Sequence, residues 1–196
     1  MTAQIHDEFM LNGQDYSIVG VNGRALFEPQ KYELEPESRC SACWRGFYCK
    51  YALVNNGLVL DTLHISFSSR VPLKLTITAP ELFGIKPKKT EDNFSWFDYY
   101  YSDLKLPVSF TGGLLIADGF IEELYVHMGF HPAWKYKKVY ELLFQDGVNI
   151  ELRDISQKIE VIRAKMREQP LEPGDDAKLK DLEKWISTCF SLDYDF

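Results

Sequence analysis

After Gly147, the apolar residues Val148, Ile150 and Leu152 alternate with Asn149, Glu151 and Arg153, the period of a strand with one buried face. Leu124, Val126 and Met128 alternate with Glu123, Tyr125 and His127 in the same way. Leu58, Leu60 and Leu63 give a less regular version that runs on through residues 64–67. Five turn pairs punctuate such runs: Asn12-Gly13, Asn22-Gly23, Asn56-Gly57, Asp118-Gly119 and Asp146-Gly147. Asn or Asp before Gly tolerates the positive φ angles of a two-residue hairpin turn, so each pair marks a candidate strand reversal. Residues 8–152 therefore read as mostly antiparallel β. The stretches 28–40 and 79–92 break the pattern with two prolines each and mixed charge, and read as long surface loops.

The period then changes. Ile155, Ile159, Ile162 and Met166 fall at helical spacing, with Asp154 as N-cap and Gln157 three residues on in a capping-box position. Pro170 and Pro173-Gly174 end that helix, and Asp175 or Asp176 can cap a second one with the stripe Leu179, Leu182, Ile186 and Phe190. The expected fold class is α+β, a largely antiparallel sheet followed by a C-terminal helical hairpin. Residues 1–196 form one domain in this reading, with 8–152 mainly β and 154–192 the two amphipathic helices. Leu53, Leu60, Val126, Trp134, Leu142, Ile150, Ile159, Ile162, Leu182 and Ile186 are the expected core.

Residues 44–63 and 134–153 echo one another. Each begins with Trp and reaches a turn glycine thirteen residues later, Gly57 and Gly147. Both read as strand, turn, strand, so the sheet has the look of two pseudo-repeated halves. Shared strand patterning accounts for such an echo as well as duplication does.

Composition narrows the function classes. The 196 residues are 45% hydrophobic and 26% charged, as in an ordinary soluble domain, and the 14% aromatic content suits sheets. No apolar run reaches the roughly 18 residues of a membrane span, and the first ten residues lack a secretory signal pattern. Cytoplasmic is the default location. A formal net charge of −7 argues against a nucleic-acid binder and is compatible with a basic protein partner. Neither a phosphate-binding Gly-rich loop nor a Gly-x-Ser-x-Gly elbow is present, so the sequence supports no cofactor and no particular catalysis.

Four segments are candidate sites. Cys40, Cys43 and Cys49 include a Cys-x2-Cys pair that could grip zinc, but no further ligands follow at familiar spacing, and ordinary packing of reduced thiols is the plainer reading. Glu123, His127 and His131 share one side of an extended chain and could make an acid–base or metal triad, against the blander reading of a solvated strand. Phe94, Trp96, Asp98, Tyr100 and Asp103 form an aromatic–acidic stretch of the kind that grips a protein partner, a cationic one by charge, although six aromatics in eight residues also suit a core. Trp134 to Lys138 interleaves aromatics with lysines, yet the overall charge disfavours nucleic acid there.

Residues 40–51, with Cys43-Trp44-Arg45-Gly46 before an aromatic pair, 110–136, with Tyr125 to Phe130 (YVHMGF), and 139–147 resemble an uncharacterised bacterial protein family of about this length. The resemblance covers most of residues 8–160 and implies a bacterial source; no activity comes with it. Two function classes therefore stand from the sequence. The first is an acidic interaction protein of the immunity or antitoxin kind, binding through 94–103. The second is a small-molecule-binding protein or enzyme with a pocket between the two β halves, for which Arg45, Glu123 and His127 are the polar candidates.

Overall fold

The computed structural model describes residues 2–67, 79–91, 95–166 and 178–194. Among these residues the β part is a single ten-stranded sheet: β1 (Glu8–Leu11), β2 (Gln14–Asn22), β3 (Phe47–Val54), β4 (Gly57–Ile65), β5 (Lys88–Lys89), β6 (Tyr99–Tyr101), β7 (Leu106–Pro107), β8 (Gly112–Phe120), β9 (Tyr136–Gln145) and β10 (Val148–Asp154). Two helices follow, α1 (Ser156–Met166) and α2 (Leu179–Phe190). The strand order is β10-β9-β8-β2-β1-β3-β4-β6-β5, and all pairings between strands are antiparallel except β1 with β3. The architecture is α+β.

The sheet curls until β10 meets β4. Val148 pairs with Gly57, the Leu58 N–H donates to the Gly147 carbonyl (2.7 Å), and the Asn149 N–H donates to the Asn56 carbonyl (2.9 Å). Seven strands thus form a ring, and alternation sorts their side chains into an inside and an outside. Phe9, Ile18, Cys49, Tyr51, Leu60, Leu63, Ile65, Leu114, Ile116 and Leu142 fill the inside, each at 1% exposure or less. The stretches 28–40 and 79–91 are irregular apart from a 3-10 turn at Pro29–Tyr32 and strand β5, and they are not merely superficial. Leu34 is fully buried, and Phe27, Ala79 and Leu82 join the same core.

A second, smaller cluster lies on the outside. Val19, Leu115, Ala117 and Val139, from β2, β8 and β9, are covered by Ile159 of α1, itself 1% exposed. Arg163 pins α1 in place by donating to the carbonyls of Trp134 and Tyr136. Beyond α2 the tail crosses the same surface, with Val21 N–H donating to the Leu192 carbonyl (2.7 Å) and the Tyr194 ring against Gly20 and Gly113. A Cβ on Gly113 would come within 2.0 Å of the Tyr194 hydroxyl, so the slot exists because both positions lack side chains.

Several local expectations change in the structure. Asn12-Gly13 and Asp146-Gly147 turn hairpins with both residues at positive φ. At the third hairpin the turn residues are Asn55 and Asn56 (φ 50 and 67), and Gly57 already begins β4. Asp118-Gly119 lies within β8, and Asn22-Gly23 ends β2 without a tight reversal. Residues 122–124 form a 3-10 turn where the pattern predicts a strand; the chain bends at 127–128, and Gly129 makes an isolated bridge to Ala3. Of the expected core, Leu60, Val126, Leu142 and Ile159 are buried, while Leu53, Trp134, Ile162, Leu182 and Ile186 are half-buried. Ile150 is 61% exposed, on the outer side with Val148, because Asn149, in register with the buried Phe144, takes the inward position. The expected helix boundary at Pro170, Pro173-Gly174 and Asp175 or Asp176 lies outside the described residues.

Candidate functional site

On β3, β4 and β6 the inward positions are Phe47, Cys49, Leu63, Ile65 and Tyr101, so the residues between them point outward. Tyr48 is in register with His64, His64 with Tyr100, and Tyr100 with Lys88 of β5. Their side chains make a continuous row across four strands. The Tyr48 and His64 rings stack at 4.5 Å and 8°, His64 and Tyr100 at 5.9 Å and 22°, and the Lys88 ammonium lies 5.7 Å from the Tyr100 ring centroid. Phe97 packs against Tyr48 and His64 from one flank, while its neighbour Trp96 is 58% exposed. Burial, then the charges of Glu8 and Asp15, pushes the Tyr48 phenol up to about 12. Burial and then Lys50 lower His64, so both rings are neutral at pH 7.

The aromatic–acidic stretch is thus divided among several roles. Tyr100 belongs to the row and Trp96 stands beside it. Asp98 is engaged by Arg39 at 3.1 Å, and Asp103 is exposed at a left-handed position (φ 58). Phe94 lies outside the described residues. What the stretch did not disclose is that Tyr48 and His64, from a different hairpin, complete the surface; outward positions on two strands carry no label until the register is known.

Arg45 has a different role from the one a pocket would need. Its guanidinium grips Asp7 with two hydrogen bonds of 2.9 and 3.0 Å, and Asp7 also accepts the Cys49 N–H at 2.8 Å. Burial works against the Arg45 charge, but the field and hydrogen bonds of Asp7 outweigh it and raise its pKa. The guanidinium lies 5.1 Å from the Phe47 ring and 5.8 Å from the Phe130 ring. His127, exposed, shares a 2.9 Å hydrogen bond with the Tyr125 hydroxyl, and Glu123 is exposed on the 3-10 turn. Among the described residues no hydrogen bond or ion pair joins Arg45, Glu123 and His127. His131 is buried instead, stacked on Phe120 at 4.7 Å, with Nε2 bonded to the Val126 carbonyl.

The two distinctive motifs meet on the N-terminal arm. Gln4 accepts the Trp44 N–H through its side chain, and its own N–H donates to the Gly129 carbonyl at 2.7 Å. Gly46 is left-handed (φ 73), and a Cβ there would strike the Glu37 backbone at 2.6 Å. Gly129 (φ 62) presses against the Cys189 carbonyl, which accepts the Phe130 N–H, and Trp44 stacks on Phe190 at 4.7 Å. Both motifs hold the arm, the barrel and α2 together.

The cysteines are thiols set apart by packing. Cys43 Sγ donates to the Phe47 carbonyl at 3.2 Å, Cys49 is inside the barrel, and burial raises both thiol pKa values. Among the described residues no three His, Cys, Asp or Glu side chains are grouped to hold a metal. A cavity of about 460 Å³ lies between α2 and the segment 126–134, with Val126, Met128, Phe130, Pro132, Trp134 and Trp185 in its lining. Among the described residues no helix is long and apolar enough to cross a membrane. The chain matches no protein-family model, no curated protein and no solved structure.

Proposed function

We propose that this chain is an interaction protein whose partner, another protein, seats on the outer face of β3, β4 and β6. The observation that supports this is the row Tyr48–His64–Tyr100 with Trp96 beside it, an aromatic surface in register across three strands. Tyr and Trp offer large contact area with few torsions to freeze, and the hydroxyl tips give the partner hydrogen bonds to complete. The net charge of −7 favours a basic partner at long range, as with small bacterial immunity or antitoxin-like proteins, and Asp103 adds an exposed carboxylate nearby. Asp98 contributes less than its sequence position suggests, since Arg39 compensates it.

The double variant Trp96→Ala/Tyr100→Ala tests the reading. A protein that co-purifies stoichiometrically with the wild type should be weakened by about thirtyfold or more in the variant, with the circular dichroism spectrum unchanged. Retention at full affinity rejects it. The cavity between 126–134 and α2 favours a second reading, a small apolar ligand held between Trp134 and Trp185, since its volume lies within the usual range for ligand sites. A small molecule released on denaturing the purified protein, with no protein partner, would favour that reading over the first.

A further inference from the structure

Among the described residues β10 is incompletely paired. β9 runs along one side of it, but on the other side β4 reaches only Val148, where the ring closes. Beyond that contact β4 pairs with β7 and then β6. The wall beside residues 150–154 is therefore missing among the described residues. The consequence is visible in Leu152. It is in register with Leu142, which is fully buried, yet Leu152 is 46% exposed; Val148 and Ile150 are 50% and 61% exposed along the same strand. This edge carries exposed apolar side chains and neither lysine nor proline, two of the residues that commonly guard a sheet edge.

We infer that this edge pairs with β10 of a second copy of the chain, antiparallel about a two-fold axis at Leu152. The strand's own charges select the occupant and the register. Glu151 and Arg153 flank Leu152 and bond to each other within one chain, Arg153 also reaching Glu141 at 3.6 Å. An axis at Leu152 places each Glu151 opposite the second copy's Arg153, and the two Leu152 side chains against one another. An axis one residue earlier would oppose two Glu151 carboxylates, which is unfavourable. Isologous pairing also gives both copies the same missing neighbour, joining two curled sheets through β10.

Sedimentation velocity over a concentration series tests the association, and a cysteine at the axis tests its geometry. The wild type should dimerise reversibly, and Leu152→Lys should raise the dimer dissociation constant about tenfold or more by setting two ammonium groups face to face. Leu152 is already half exposed, so the variant should keep its fold, checked by circular dichroism. Leu152→Cys should form a disulfide-linked dimer under mild oxidation, because residues at such an axis sit within disulfide reach; Lys89→Cys, on the far edge strand, should not. A wild type that stays monomeric throughout, or a dimer indifferent to Leu152→Lys that Leu152→Cys does not cross-link, overturns the inference.

Discussion

Across β2, β8 and β9 the outward side chains Val19, Leu115, Ala117 and Val139 are apolar and lie under Ile159, within a cluster that Tyr194 joins. Across β3, β4 and β6 the outward positions hold Tyr48, His64 and Tyr100, which remain partly accessible. The same barrel thus finishes one outer face with its own chain and leaves the other to water or to a partner. Covering the first face needs more than the helix. Gln4, His6 and Asp7 of the N-terminal arm tie the 126–131 segment to the barrel, and that segment seats α2 through Gly129 and Phe130. The difference between the faces is one between residues that must stay to keep the fold and residues free to serve something else.

The sharpest way to break the covered side is at Asp7. Asp7→Ala leaves the half-buried Arg45 guanidinium without its counter-charge and the buried Cys49 N–H without its acceptor. The expected loss is about 3–5 kcal/mol of unfolding free energy, read by urea titration. A loss under about 1 kcal/mol would show that the pair is solvated and that the arm does not clamp the fold.

A smaller effect follows from His6. Its Nδ1 bonds the Ile18 carbonyl at 2.8 Å while Nε2 accepts the His131 N–H at 3.1 Å, so the ring must be the neutral Nδ1-protonated tautomer. Burial, the largest influence, lowers its pKa to about 4, with the Ile18 carbonyl opposing and His131 assisting; Phe130 and Tyr136 enclose the ring at 5.2 and 6.4 Å. A folded pKa below the unfolded value of about 6.5 means that the unfolded chain takes up the proton first. Stability from this group is therefore complete above pH 6.5 and falls as pH drops towards 4, by about 2–3 kcal/mol. His131 and His64, lowered in the same direction, add to the slope. His6→Gln should flatten it, and a variant with the wild-type slope would place the proton uptake elsewhere.

The sequence exposed these two faces unequally. The α1 stripe was legible because Ile155, Ile159 and Ile162 repeat at a local period, and Asp154 does accept the Ser156 N–H at the helix start. The Asn12-Gly13 and Asp146-Gly147 hairpins were legible for the same reason, since a turn is decided by adjacent residues. The Arg45–Asp7 pair joins residues 38 apart, and the Tyr48–His64–Tyr100 row depends on the register of three strands; neither leaves a local mark. Ile150 shows that alternation does not say which face is buried: Asn149, opposite Phe144, takes the inside and leaves Val148 and Ile150 exposed. The alternation of Leu124, Val126 and Met128 predicts a strand, but Val126 and Met128 line a cavity beside α2 instead, together with Phe130, Pro132 and Trp134.

The smallest expected effect sharpens the comparison most. Tyr100→Ala removes a partly exposed ring from an outer row on a short edge-side strand, where Lys88 and His64 are its ring contacts. Removing one stacked pair and some half-buried area should cost about 1 kcal/mol or less, because the inward neighbours Tyr99 and Tyr101 still pack on the core. Measured by urea titration beside Asp7→Ala, the two values should differ by about 2 kcal/mol or more. A Tyr100→Ala cost as large as that of Asp7→Ala would mean that the aromatic row serves the fold. Such a result would make the bare face structural and remove the ground for placing a partner there.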